Sequence, residues 1–142
     1  MEMGRVLKDL MAVCRESAEG FRKAAGRVQR GHLAGLFRGI AQERAQFAEE
    51  LAALEIECAQ QAAAAGYEAR ELQGWRDLEG TSDDAKFLAR CEEGEENTLR
   101  HFEHALTQDL PAMVRAVVHR QRLAVQEALL QLRDVEKVGR AG

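Results

Sequence analysis

The sequence predicts an all-α fold, a four-helix bundle made of two repeated helical hairpins, and three observations carry that prediction. Composition is the first. Of 142 residues, 46% are hydrophobic but only 5% aromatic, and Ala, Leu, Glu, Gln and Arg dominate, as in long helices rather than sheets. The second is a single proline, Pro111, which leaves long stretches where a helix runs unbroken. The third is an internal repeat. Sliding the chain past itself by 77 residues sets Phe37, Ile40, Ala41, Arg44, Ala48 and Leu51 on Val114, Val117, Val118, Gln121, Val125 and Ala128. The same offset sets Leu10, Met11, Cys14, Ser17 and Ala18 on Phe87, Leu88, Cys91, Gly94 and Glu95. Apolar meets apolar, and an offset divisible by seven keeps each position on the same helical face.

Helix one is expected from about Arg5 to Gln29, with Leu7, Leu10, Met11, Cys14, Ala18, Phe21, Ala25 and Val28 as its stripe. Arg30-Gly31 breaks it, and so short a turn implies an antiparallel neighbour. Helix two then runs from about His32 to Ala64 on Leu33, Phe37, Ile40, Phe47, Leu51, Leu54 and Cys58. Gly66 ends it, and Leu72, Trp75 and Leu78, three apart, predict a short amphipathic crossover helix. Ser82 is the expected cap of helix three, with Asp83 and Asp84 complementing the dipole of its first turn. That helix runs to about Thr107, and Pro111 opens helix four at a position where no hydrogen bond is lost. Lys137 onward reads as a frayed tail.

The chain therefore reads as a single domain over 1–142: hairpin one about 5–64, a crossover segment about 65–81, and hairpin two about 82–136. If helices two and three run parallel, the link must return most of the bundle's length. A partly helical link can do so at about 1.5 Å per helical and 3.3 Å per extended residue. An up-down-up-down bundle needs no link of that length, so the crossover is the favoured wiring.

Net charge is −4, with acids and bases interleaved, so no basic face exists to bind nucleic acid. No apolar run approaches the roughly 20 residues of a membrane span, and the N-terminal residues lack a signal-peptide profile. Three cysteines without CxxC spacing suit reduced thiols, and a bacterial cytoplasm is the expected location. Neither a Ser–His–acid or Cys–His arrangement nor a phosphate-binding Gly-rich loop is suggested. Catalytic residues are therefore not assigned.

Polar residues that interrupt the stripes are more informative. Ala18 and its repeat mate Glu95, with Arg44 and its mate Gln121, fall in one central layer if a pseudo-two-fold crosses the bundle. Glu95 buried there is costly unless paired, and Arg44 is the nearest fork-shaped donor. Gln121 is placed to satisfy the remaining lone pairs. Arg44, Glu95 and Gln121 thus form the expected buried polar layer.

The motifs Cys14-x-Glu16-Ser17-x-Glu19-Gly20-Phe21, Arg44-Ala45-x-Phe47-Ala48-x-Glu50-Leu51, Cys91-Glu92-x-Gly94-Glu95 and Leu110-Pro111-x2-Val114 through Gln121 occur in this order. Together they resemble a bacterial group of ferritin-like four-helix proteins of unknown function. The resemblance spans nearly the whole chain and implies a ferritin-like fold with a linking segment before helix three. Members often carry an acid at the position of Ala18 and a histidine at that of Leu129, so both departures remove candidate ligands.

A ferritin-type two-metal site needs a Glu from each of two helices and a Glu-x-x-His from each of the others. Here Gln29, Thr98, His101 and Ala116 stand three before His32, His101, His104 and His119. Arg44 brings positive charge where a cation should sit. The expectation is a degenerate metal site with no resident cofactor, in a structural or protein-interaction module. A homodimer or another protein is the partner expected. The alternative is a ferritin-type oxidoreductase or iron-handling protein holding iron or manganese on Glu43, Glu92 and Glu95. Glu43, Glu50 and Glu57 otherwise read as a solvated rim, and His101 and His104 as surface residues. Cys14 and Cys91 read as core residues, Gly20, Gly39 and Gly94 as points of close helix approach, and Trp75 with Tyr67 as a cover over the bundle.

Overall fold

The computed structural model describes residues 3–59 and 83–141. It contains four α-helices, α1 (Met3–Ala25), α2 (Gly31–Ala59), α3 (Asp84–Leu106) and α4 (Ala112–Ala141), and no strand among the described residues. The expected crossover helix, with Tyr67, Leu72 and Trp75, lies outside the described residues, as does Ser82.

Element ends depart from the sequence reading in three places. α1 stops at Ala25 rather than at about Gln29, because the chain turns at Gly26 and Arg27, whose amides reach back to the Lys23 and Ala24 carbonyls. The cap of α3 is Asp83, whose extended backbone (φ −100°, ψ 127°) lets its side chain accept from the Ala85 amide. That is the short-range bond an Asx cap makes, and it displaces Ser82 from the role assigned above. α4 continues to Ala141 instead of fraying from Lys137, since Leu132 is buried and Val135 packs against the core beside it. Pro111 stands just before α4, and its carbonyl accepts from the Arg115 amide at 2.9 Å, so its missing N–H costs nothing.

Cross-helix contacts fix the directions. Lys8 of α1 meets Glu55 of α2 at 3.5 Å, so α1 and α2 are antiparallel. Asp9 of α1 meets His101 of α3 at 2.8 Å, while the turn after α1 meets the start of α3. There, one Asp84 carboxylate accepts from the amides of Gln29 at 2.8 Å and Arg30 at 3.2 Å. α1 and α3 are therefore antiparallel too, and α2 runs parallel to α3. α4 returns along α3 through Arg122–Glu103 and Arg133–Glu96.

Two apolar clusters fill the interior. One gathers Leu7, Leu10, Leu51, Phe102, Val118 and Val125; the other gathers Phe21, Phe37, Phe87, Cys91 and Leu132. Phe21 and Phe37 meet edge to face, 5.7 Å between centroids. Gly39 is not a point of close approach, because a Cβ added there would meet nothing within 4 Å.

Candidate functional site

Between the two clusters lies a polar layer. Ser17, Arg44, Glu95, Thr98 and Gln121 are all 0% exposed. Arg44 reaches it from the middle of α2, flanked along its own helix by Ala41, Phe47 and Ala48 of the core. Its Nη1 donates to Glu95 Oε1 at 2.5 Å and to Ser17 Oγ at 3.3 Å, so one guanidinium ties α2 to both α1 and α3. The guanidinium carbon also sits 5.9 Å from the Phe47 ring centroid, a distance at which the ring face attracts a cation. Thr98 turns its hydroxyl back onto the Gly94 carbonyl at 3.0 Å and so satisfies itself.

Gln121 is buried but does not serve Glu95. Its Nε2 donates to Glu50 Oε1 at 3.0 Å and approaches the Phe47 carbonyl at 3.5 Å, which joins α4 to α2. The reason is neighbourhood: Gln121 stands level with Phe47 and Glu50 along α2, so the Glu50 carboxylate is the charged acceptor within its reach. Glu95 Oε2, Gln121 Oε1 and the Arg44 Nε and Nη2 atoms are buried without a hydrogen-bond partner among the described residues. Arg44 Nη2 does have a distant electrostatic neighbour, Glu43 Oε1 at 3.5 Å.

Electrostatics follow from burial. Desolvation opposes the charge on Arg44, but the attraction and hydrogen bond of Glu95 outweigh it and hold the guanidinium protonated. Burial pushes the Glu95 carboxyl above the ordinary carboxylate range, against the pull of Arg44. Burial likewise pushes the Cys14 thiol up to about 12 and raises Cys91, so neither is a ready thiolate. Asp9 opposite His101 puts Cys14 about five residues, roughly 7.5 Å along the axes, from the level of Cys91. That exceeds the reach of a disulfide, and both are free.

The alternative ligand set is dispersed. Glu95 is held by Arg44, and Glu43 lies at the half-exposed edge beside the same guanidinium. Glu92 turns elsewhere, sharing a hydrogen bond with Glu136 of α4; desolvation and that bond raise it to about 7. No group of three or more His, Cys, Asp or Glu side chains among the described residues could hold a metal ion. A divalent cation in the central layer would meet a fixed guanidinium, so the residues present do not fit the two-metal site of a ferritin-type bundle.

Of the rim, Glu50 pairs with Arg120 and accepts from Gln121, while the Glu57 side chain lies outside the described residues. His101 is not a free surface residue; its Nδ1 meets Asp9. Sequence reasoning missed Ser17, Asp9 and the fold-back of Arg115, whose guanidinium donates to the Leu106 and Gln108 carbonyls at 2.9 and 2.6 Å. For Asp9 the signal was present, an acid on the helix-one face that an antiparallel helix three would bring to His101. No described helix is long and apolar enough to cross a membrane.

No curated protein matches the chain. A family model does, over residues 2–108, and it is described as a domain of unknown function. That stretch takes in α1, α2, α3 and the Arg44–Glu95 pair, and the chain belongs to this family, DUF2383.

Proposed function

We propose that this chain is a ferritin-like bundle of two repeated hairpins whose metal layer is degenerate, and that it acts as a structural or protein-interaction module rather than a catalyst. One observation carries the reading. At mid-height, where such folds gather carboxylates around cations, a fully buried guanidinium donates to Glu95, the one fully buried carboxylate among the described residues. Arg44 thereby supplies internally the positive charge that metal ions supply in a ferritin-type centre. Ala18 and Leu129, both buried, add no ligand. The parallel run of α2 and α3 supports the ferritin-like wiring, because it demands a link that spans the bundle.

Elemental analysis of untagged protein, purified without chelator, tests the reading. The expected result is iron and manganese far below one atom per chain. Either metal at one or two atoms per chain, lost on Glu95→Ala, would instead establish the oxidoreductase or iron-handling alternative with Glu43, Glu92 and Glu95.

A further inference from the structure

Four of the five large hydrophobics exposed among the described residues lie on α4: Met113 (62%), Leu123 (48%), Leu130 (49%) and Val138 (73%). By contrast, α1 buries residues around about half of its circumference, from Val6 and Val13 to Met11 and Ala18. Free apolar surface is therefore concentrated on one helix, on the side away from Val118, Val125 and Leu132, which enter the core.

The exposed face has a register. Ala116, Arg120, Leu123, Glu127, Leu130 and Asp134 are all exposed and follow at spacings of four, three, four, three and four. That is the spacing of a two-helix coiled-coil seam, with Ala116, Leu123 and Leu130 at one repeating position and the charges Arg120, Glu127 and Asp134 at the other. The charges read differently in each direction of pairing. Arg120 and Asp134 each stand seven residues from Glu127, and Ala116 and Val138 each eleven. An antiparallel pair of identical helices centred on Glu127 sets Arg120 on Asp134 twice, Leu123 beside Leu130 twice, and Ala116 on Val138 twice. A parallel pair sets Arg120 on Arg120 and Asp134 on Asp134. Charge complementarity thus selects the antiparallel arrangement, the self-complementary one that a two-fold dimer requires.

We propose that α4 pairs antiparallel with α4 of a second copy of this chain, about a two-fold axis passing beside Glu127. The proposal rests on the reading of the chain as an interaction module and gives that module its partner. Arg120 already bridges Glu50 on its own chain, and its side chain is 56% exposed, so it reaches both carboxylates. Glu127 against its own copy at the axis is an unfavourable contact.

Sedimentation of the full chain at about 100 µM tests the proposal, with circular dichroism melts confirming that each variant folds. The expected result is a reversible dimer. Leu130→Glu weakens it at least about tenfold without moving the melt, since Leu130 is exposed. Arg120→Glu and Asp134→Arg each weaken self-association alone, yet an equimolar mixture of the two recovers a dimer, because each variant supplies the charge the other needs. Glu127→Gln tightens the dimer. A wild-type monomer at that concentration, a dimer indifferent to Leu130→Glu, or a failure of the mixture to recover would overturn the proposal. Each of those outcomes leaves the metal analysis above untouched, so the two readings fail separately.

Discussion

Arg44 makes the layer a matter of pairing rather than of packing. A guanidinium with no exposed surface is tolerated because Glu95 and Ser17 receive its Nη1 and Phe47 offers a ring face. Removing it strands a buried carboxylate, so Arg44→Ala should destabilise the protein by about 3 kcal/mol or more in a urea melt. Replacing both partners with apolar residues, Arg44→Met with Glu95→Leu, should recover most of that loss, because a well-packed apolar pair is often neutral against a buried ion pair. A double variant as unstable as the single one would mean the layer needs its charges. Glu92 supplies a pH signature. Its folded-state value lies near 7, above the ordinary 4.5, so over that window the folded protein binds the proton more tightly than the unfolded one. The stabilisation is complete below about 4.5 and is lost as pH rises through about 7. Thermal melts across that range should therefore show a falling component in the wild type that Glu92→Gln flattens.

At the scale of the element, the four helices were legible because their apolar positions recur with helical period, and the described residues of each stripe lie in or against the core. Their ends were less so. An acid within the first turn and an acid at the cap look alike in sequence, which offers Asp83 and Asp84 alike as dipole partners. The structure gives Asp83 the cap and Asp84 the amides of Gln29 and Arg30. Those bonds connect residues more than fifty positions apart, and local pattern carries no trace of them. Asp83→Ala should cost about 1 kcal/mol by loss of the cap. Asp84→Ala should cost a similar amount, with the added effect that amide exchange quickens at Gln29 and Arg30. Within the site, Arg44 and Glu95 could be singled out because they interrupt apolar stripes. Ser17 could not, since a small hydroxyl fits an apolar stripe or a polar face equally well. Gln121 misleads for a related reason: its depth follows from helix phase, but its partner depends on which acceptor the packed helices bring to its level.

For the molecule as a whole, the directions of the helices matter more than their lengths. α1 is antiparallel to α2 and to α3, and α4 returns along α3. The start of α1 therefore shares one end of the bundle with the start of α4, and Ala141 lies at the other end. A simple up-and-down arrangement would bring Met3 and Ala141 together; here they stand about 45 Å apart, the length of α4 at 1.5 Å per residue. Fluorophores attached near the two ends should report that separation by energy transfer. High transfer, as from dyes within about 20 Å, would contradict the parallel run of α2 and α3.

That separation also governs how the protein can be re-engineered. A circular permutant joined by a few glycines would have to bridge the full height of the bundle and should fail to fold, whereas a linker of about fifteen extended residues would suffice. Copies fused in tandem through a short helix would stack head to tail into a rod, each adding its own length, instead of folding back side by side.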